Sequence, residues 1–234
     1  RAPADADTAV YRRLIEDVGK TDLGTCVSVK PSQVGLGVGQ EVLAENVRDI
    51  VRTARKHDVF VWMDMEDPET VDPTVRTFEA VVSEYPRVGL CVQANLARTG
   101  DDLAELVDYP GKLRLVKGAY TPPEGGGYRD RDRVDEAYRE HLEFLFREYD
   151  GTVAVGTHDR ALIEAAIDHH ETHGTDFEIQ MLMGVREDLQ FELAEDYDVY
   201  QYAPFGRKWL AYFSRRVAER RENLAFALRA VAGG

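Results

Sequence analysis

Positive charge is scarce in this sequence. Its 234 residues include 29 Lys and Arg against 43 Asp and Glu, which leaves a formal net charge of −14. Phosphate binding needs a basic surface, so we expect no nucleic-acid partner, and binding to an anionic membrane surface is disfavoured for the same reason. Only six residues are lysine. An acidic, lysine-poor surface suggests adaptation to high salt, where self-repulsion is screened.

Cysteine is also scarce, and long apolar runs are missing. Cys26 and Cys91 lack metal-ligand spacing and lie in apolar runs, which predicts small core residues in a reducing compartment. We expect no metal site. No run of about 18 apolar residues occurs, so no membrane-spanning helix is predicted. No signal peptide is recognisable either, which favours a cytoplasmic protein.

Seven short runs have the composition of buried parallel strands. Most are near-continuous stretches of Val, Leu and Ile, as expected for strands covered on both faces. Between them, apolar residues recur at spacings of three and four, which predicts amphipathic helices. This alternation predicts an α/β fold with a parallel sheet. The predicted strands are residues 25–30, 59–65, 88–94, 113–118, 152–158, 177–181 and 199–202.

Polar side chains at the carboxyl ends of these runs favour a closed (β/α)8 barrel of the TIM type over an open, doubly wound sheet. In a barrel those ends converge on one mouth, which holds the active site. In an open sheet they spread along a line. The residues are Lys30, Asp64, Gln93, Lys117, His158, Gln180 and Tyr202.

The length favours a single barrel domain over residues 1–234. A closed barrel needs eight strands, and seven are recognisable. The first helical pattern runs from Thr8 to Val18, and no strand pattern precedes it. We therefore expect the first strand to be missing, through truncation or disorder, so that the domain is incomplete at its amino terminus.

A glycine cluster follows the first predicted strand. Gly35, Gly37 and Gly39 tempt comparison with the dinucleotide fingerprint G-x-G-x-x-G, but the third glycine comes one residue early. We interpret the segment as a flexible loop over the barrel mouth.

Lys30 and Lys117 each end an apolar run, and three interpretations are open. Either lysine could extend from a strand end to solvent without a function. It could instead clamp an anion, or act as a Schiff-base nucleophile. The last possibility would make the protein an aldolase-type barrel enzyme.

Three ionisable residues lie within or at the ends of apolar runs, namely Asp64, Arg114 and His158. Arg114 forms either a salt bridge within the barrel or part of a site, and we favour the site. Asp64 and Glu66 are two residues apart, so they share a face if the strand continues. Such a carboxylate either orients a cation or acts as a general base. His158 is either structural or, beside Thr157 and a helix start, contacts an anion or a cofactor.

A doubled arginine lies on the last predicted helix. Arg215 and Arg216 share a broad face with Tyr212 and Glu219. On a solvent-facing helix such a pair needs no function. Near the barrel mouth, two guanidinium groups would suit a substrate carboxylate.

In this order, these segments resemble the proline dehydrogenase family, especially its small monofunctional members. The resemblance covers nearly the whole chain, and RLVKGAY and the R-R-x-x-E pattern are its most specific parts. Asn95 departs from the aromatic residue that is frequent at its position, and Pro31 departs from leucine. The matching strings are VSVK (27–30), MDMED (63–67), VQA (92–94), RLVKGAY (114–120), THD (157–159), FEIQMLMGVR (177–186), YAPFG (202–206) and RRVAER (215–220).

The resemblance implies a (β/α)8 barrel that binds FAD at its mouth without a Rossmann motif. Arg114 would lie beside the reactive nitrogen of the flavin. Asp64 would orient the cations that clamp the substrate carboxylate, and Tyr202 would pack on the pyrrolidine ring. The implied clamp is Lys30, Arg215 and Arg216. The implied flavin-binding residues are Met65, Gln93, Arg114, Lys117, Gly118, Ala119, Thr157 and His158.

The implied reaction is the oxidation of L-proline to Δ1-pyrroline-5-carboxylate, the first step of proline catabolism. Hydride would pass from ring carbon 5 to FAD, and electrons would pass on to a quinone, which implies a transient peripheral contact with the inner face of the cell membrane. Cationic Arg114 would favour the negative charge that flavin reduction creates. Two alternatives stay open, a Schiff-base aldolase using Lys117 or Lys30 and a non-catalytic carboxylate-binding barrel.

Overall fold

The computed structural model describes residues 1–206 of the chain. These residues divide into two units, residues 1–178 and the part of the chain that begins at Ile179. In the first unit the elements are α1 (Ala2–Val18), β1 (Val27–Val29), α2 (Gln40–His57), β2 (Val61–Met63), a 3-10 turn (Pro68–Thr70), α3 (Val71–Val82), β3 (Val88–Gln93), α4 (Thr99–Leu106), β4 (Lys112–Val116), α5 (Arg131–Glu148), β5 (Thr152–Gly156) and α6 (Arg160–His173). They are followed by β6 (Phe177–Leu182), within which the unit boundary falls, α7 (Glu187–Leu193) and β7 (Val199–Tyr202).

Strand order separates a barrel-type winding from a doubly wound sheet. In the first unit β1 to β5 are neighbours in sequence order, and every pair is parallel. In the second unit β7 pairs with β6, again in parallel. A doubly wound sheet reverses its strand order at a switch point, and the first unit has no such reversal. The predicted α/β fold, with seven parallel strands alternating with helices, is confirmed.

The predicted elements differ from the observed ones mainly at their ends. Lys30, Asp64, Lys117 and His158 were expected inside strands and lie just beyond them. The apolar runs continue past the points where the chain turns away from the sheet, so composition alone overestimates strand length. The first helix begins at Ala2 rather than at Thr8, since Pro3 in its first turn is pre-organised for a helix. The single domain and the missing strand stay predictions.

One face of the sheet in the first unit packs against the helices. Leu90, Leu113 and Leu115 are fully buried there. The Tyr138 hydroxyl on α5 donates a hydrogen bond to the carbonyl of Leu115 at 3.1 Å. Within residues 1–206, no helix combines the length and the apolar character needed to cross a bilayer.

The opposite face carries the polar side chains, because side chains alternate along each strand. Ser28 is level with Trp62, and Trp62 is level with Gly89. A side chain on Gly89 would overlap the Trp62 ring, so this glycine makes room for the indole. Arg114 is level with Cys91 on one side and Ala154 on the other. These small neighbours leave space for the long arginine side chain on the same face.

Candidate active site

A buried carboxylate joins three strands at the carboxyl edge of the sheet in the first unit. Asp64 follows β2 directly, and its backbone N–H still donates to the carbonyl of Val29 at 2.9 Å. One carboxylate oxygen accepts from the Lys30 ammonium at 2.8 Å. The other accepts from the Ser28 hydroxyl and from a guanidinium nitrogen of Arg114. The structure therefore brings Lys30, Asp64 and Arg114 together, as the sequence predicted.

The electrostatics of this cluster keep Asp64 ionised. Burial alone would raise its pKa, because the side chain is only 9% exposed. Arg114 and then Lys30 outweigh that effect, and the pKa of Asp64 lies below its ordinary value of 3.8. A carboxylate held in its charged form between two cations is suited to orienting them rather than to taking up a proton.

Arg114 is fixed from more than one side. Its guanidinium carbon lies 4.7 Å from the centre of the Trp62 ring, and a guanidinium nitrogen is 3.3 Å from the Ser28 hydroxyl. The side chain is 6% exposed. Of the two roles expected for Arg114, the structure shows the salt bridge within the sheet. That salt bridge lies next to Lys30, whose side chain is 40% exposed. The cluster combines a rigid buried cation with an accessible one.

Two further contacts hold the segment around Lys30. The Tyr11 hydroxyl, on α1, accepts from the backbone N–H of Lys30 at 3.2 Å and donates to the side chain of Gln33. Burial raises the pKa of Tyr11 to about 12. Glu66 does not share a strand face with Asp64, because β2 ends at Met63. Its carboxylate instead accepts from the backbone and hydroxyl of Ser32, at 2.7 and 2.8 Å.

A second charged cluster lies at the same edge, where β4 and β5 end. The Lys117 ammonium pairs with Asp159 at 3.0 Å and also with Asp135 on α5. Burial raises the pKa of Asp159, but the hydrogen bond and charge of Lys117 outweigh it, and the pKa is lowered. Asp159 also caps α6 by accepting from the backbone N–H of Ala161 at 3.2 Å. Lys117 is therefore an oriented cation with about a quarter of its side chain exposed.

The other predicted flavin-binding residues occupy the same edge. Gln93 is buried and donates to the carbonyl of Glu66 at 2.9 Å. Met65, which directly precedes Glu66 in the sequence, is also buried. Thr157 is buried, and its hydroxyl accepts from the backbone N–H of Asp159 at 3.2 Å. His158 is half-buried. The helix start next to His158 is already capped by Asp159, which weakens the argument for an anion at that position.

Gly118 and Ala119 begin the loop between β4 and α5. Gly118 has φ +113, a conformation that favours glycine, and Ala119 is exposed. This loop packs against the loop that follows β3.

Three predicted substrate-binding residues lie elsewhere in the chain. Tyr202 ends β7 in the second unit, is half-buried, and its carbonyl accepts from the backbone N–H of Met183 at 3.1 Å. Arg215 and Arg216 lie outside the described residues.

Both lysines proposed as Schiff-base nucleophiles are ion-paired. Lys30 pairs with Asp64, and Lys117 pairs with two carboxylates. A nucleophilic lysine is activated as a neutral amine, in a desolvated pocket or beside another cation. Carboxylate partners favour the charged ammonium instead, so this geometry disfavours the aldolase alternative.

Several residues of these clusters were not singled out from the sequence. Ser28 and Trp62 contact Arg114, and Tyr11 contacts the backbone of Lys30. The Tyr120 phenol is close enough to the first cluster for Glu66 and Lys30 to affect it, and burial, ahead of these charges, raises its pKa. Strand alternation could have indicated Ser28 and Trp62, which share a face with Lys30 and Asp64. No local pattern indicates Tyr11.

Comparison with known proteins gives a consistent result. A family model described as proline dehydrogenase matches residues 1–229. Proline dehydrogenase of Deinococcus radiodurans is 38% identical over 231 residues, which cover 95% of this chain and 74% of that protein. Proline dehydrogenase 2 of Bacillus subtilis is 35% identical over 221 residues, covering 92% of this chain and 72% of that protein.

Solved structures show the same fold. Proline utilization A from Bdellovibrio bacteriovorus, inactivated by N-propargylglycine, matches with a TM-score of 0.82 at 21% identity, over 92% of this chain and 28% of that one. A D779W mutant of proline utilization A from Bradyrhizobium japonicum matches with a TM-score of 0.75 at 25% identity, over 93% and 27%. The chain therefore spans about a quarter of these longer proteins and about three quarters of the curated relatives.

Proposed function

This chain belongs to the proline dehydrogenase family of flavin-dependent oxidoreductases, and we propose on that premise that it oxidises L-proline to Δ1-pyrroline-5-carboxylate with FAD as the hydride acceptor. The observation that carries the proposal is the cluster of accessible Lys30 with buried Asp64 and Arg114 at the carboxyl edge of the sheet. In barrel enzymes that edge holds the active site.

The residues at this edge fit a flavin nucleotide. Lys117 offers an oriented N–H donor, and the glycine turn at Gly118 lets the backbone come close to a ligand. Bound FAD would accept the hydride. The flavin-binding set is Met65, Gln93, Arg114, Lys117, Gly118, Ala119, Thr157 and His158, which the family resemblance supports.

Lys30 and Arg114 have different tasks in this proposal. Lys30 is accessible, so its ammonium binds the proline carboxylate, together with Arg215 and Arg216 by family resemblance. Arg114 is buried and rigid, so it supplies a fixed positive charge next to the flavin, which favours the negative charge created by reduction. Tyr202 would pack on the pyrrolidine ring.

Asp64 acts through the two cations. Both of its carboxylate oxygens already accept hydrogen bonds. Burial raises the pKa of Asp64, but Arg114 and Lys30 outweigh that effect and the pKa is lowered. Asp64 therefore orients Lys30 and Arg114 and does not remove a proton from the substrate. Conversion of the ring amine to the imine also requires loss of a proton from the ring nitrogen, which solvent would take up.

An anaerobic titration tests the proposal. Adding L-proline to the purified, FAD-loaded protein should bleach the visible flavin absorbance, with formation of a pyrroline that reacts with 2-aminobenzaldehyde. A protein that binds proline but keeps its flavin oxidised would be a carboxylate-binding barrel. A colourless protein that is inactivated by borohydride and a keto substrate would be an aldolase.

A matched pair of lysine variants tests the carboxylate clamp. Lys30→Met should raise the KM for proline by roughly tenfold or more, since it removes a charge-assisted contact. Lys20→Met is the control, because Lys20 pairs only with Asp17 on the surface of α1 among the contacts described for it. Equal KM values in the two variants would remove Lys30 from the clamp.

We also propose a quinone as the electron acceptor, with the enzyme in the cytoplasm and in transient contact with the membrane. A water-soluble quinone should then reoxidise the proline-reduced protein much faster than dissolved oxygen does. Stopped-flow measurement of flavin absorbance would compare the two rates, and a faster reaction with oxygen would refute the quinone.

A further inference from the structure

One buried side chain outside the proposed site joins two of its loops. Asn95 lies between β3 and α4 and is 5% exposed. Its backbone N–H donates to the carbonyl of Lys117 at 3.0 Å, and its side-chain amide donates to the carbonyl of Tyr120 at 2.8 Å. Its own carbonyl accepts from the backbone N–H of Tyr128 at 2.7 Å. A single residue therefore holds both the beginning and the end of the loop between β4 and α5, residues 117–130.

The contact is close as well as polar. A side chain on Gly118 would overlap the Asn95 amide, and a side chain on Gly127 would overlap the Asn95 carbonyl. Gly118 also has φ +113. The loop thus approaches Asn95 at two points where only glycine leaves enough room, and Leu96 pairs with Gly127 in an isolated antiparallel bridge.

The side-chain oxygen of Asn95 is not satisfied in the same way. It is buried and has no hydrogen-bond partner among the described residues. A buried acceptor without a partner has a cost, which proteins usually avoid unless the group has a further purpose. The side-chain NH2 group, by contrast, donates to the carbonyl of Tyr120. Packing alone therefore does not explain why an amide occupies this position.

We infer that Asn95 is a positioning residue for the flavin site, which fixes the backbone of residues 117–120 so that Lys117, Gly118 and Ala119 can hold the cofactor. The inference rests on the proposed function in taking these three residues as flavin-binding. The physical step is local. Without the amide, the carbonyl of Tyr120 loses its donor and the turn at Gly118 loses the group against which it packs.

Three variants separate this role from general stability. Asn95→Ala removes the amide. Asn95→Asp keeps the shape but replaces the donor with a group that cannot donate when ionised. Asn46→Ala is the matched control, because Asn46 on α2 is also 5% exposed and donates to a loop carbonyl, that of Val34, at 3.0 Å.

Three measurements decide the inference. In the protein without FAD, Asn95→Ala and Asn95→Asp should speed amide hydrogen exchange in residues 117–130, and Asn46→Ala should not. Both Asn95 variants should weaken FAD binding by roughly tenfold, because a buried hydrogen bond is lost and its acceptor is left unpaired. At saturating FAD, the KM for proline should stay within about twofold, since Lys30 and Asp64 are untouched.

A double-variant cycle adds a specific signature. Gly118→Ala should weaken FAD binding more in the wild-type background than in the Asn95→Ala background, because the overlap with the amide is absent in the latter. Unchanged loop exchange, unchanged FAD affinity in the Asn95 variants, or an equal loss in Asn46→Ala would each overturn the inference. If the wild-type protein takes up no FAD, the proposed function fails separately, and the exchange data still decide whether Asn95 fixes the loop.

Discussion

Replacing Arg114 by methionine should destabilise the protein at neutral pH and do so less as the pH falls. The substitution keeps a long side chain against the Trp62 ring but removes the cation that pairs with Asp64. Both partners are almost fully buried, with side chains 6% and 9% exposed. Removing one member of a buried ion pair leaves the other charge uncompensated in a poorly solvated place.

The size of the destabilisation depends on the ion pair that Asp64 keeps with Lys30. Losing one partner of a buried pair costs about 3–5 kcal/mol. Lys30 still pairs with Asp64 at 2.8 Å, so we expect the lower end, roughly 3 kcal/mol. For a chain of this size that corresponds to a fall of about 6–12 °C in the thermal midpoint.

The pH dependence has a definite sign. In the wild type, the pKa of Asp64 lies below 3.8. Without Arg114, the pKa of Asp64 rises from its wild-type value, because the strongest charge that opposes burial is gone. Part of the cost at neutral pH is the lost pairing of the ionised carboxylate, and protonation removes that part as the pH falls. The difference from wild type should therefore shrink on acidification.

Urea unfolding at several pH values, followed by tryptophan fluorescence, measures this difference. Arg147→Met is the control, because Arg147 pairs with Glu148 on the surface and about half of each side chain is exposed. Such pairs contribute little, so no measurable shift is expected. The double variant Arg114→Met with Asp64→Asn should recover part of the loss. A cost that grows on acidification, or no recovery in the double variant, would show that Arg114 does not stabilise the fold by pairing with Asp64.

Gly89→Ala should cost about 1–3 kcal/mol in urea unfolding, because the added methyl group overlaps the Trp62 ring, and an unchanged midpoint would contradict that packing. The pKa values of Asp64 and Asp159 are lowered, so these carboxylates stabilise the fold above about pH 4. The free energy of unfolding should decline as the pH falls through their folded-state pKa values, and a flat pH profile would exclude this contribution. Burial raises the pKa of the Cys26 thiol. At neutral pH, Cys26 should therefore react with a thiol reagent far faster in the urea-unfolded protein than in the native protein. Equal rates in the two states would show that the thiol is accessible in the native fold.

The sequence predicted the parts of the site that depend on strand ends. Lys30, Asp64 and Lys117 each follow an apolar run, and carboxyl ends of parallel strands meet at one edge, so their placement at that edge could be inferred without coordinates. Arg114 could be inferred as well, because a charge inside an apolar strand needs a partner. That its partner is Asp64, with Trp62 beneath the guanidinium, depends on the register between strands.

Contacts between distant loops could not be predicted in this way. Asn95 departs from the residue that the family resemblance leads one to expect, and its sequence neighbours show nothing of its role. Its partners lie about 22 to 33 positions later in the chain. Such contacts depend on how each loop leaves its strand, which is decided by packing of the whole unit and not by a local pattern. Tyr11 on α1 reaches Lys30 for the same reason.

The charge of the first cluster connects its stability with its proposed use. Lys30 and Arg114 are both cations held by the same carboxylate, and a buried guanidinium without a carboxylate would be costly. Asp64 allows both cations to lie together and orients them. Asp64→Asn should therefore change proline affinity through the position of Lys30 and not through a lost contact of its own.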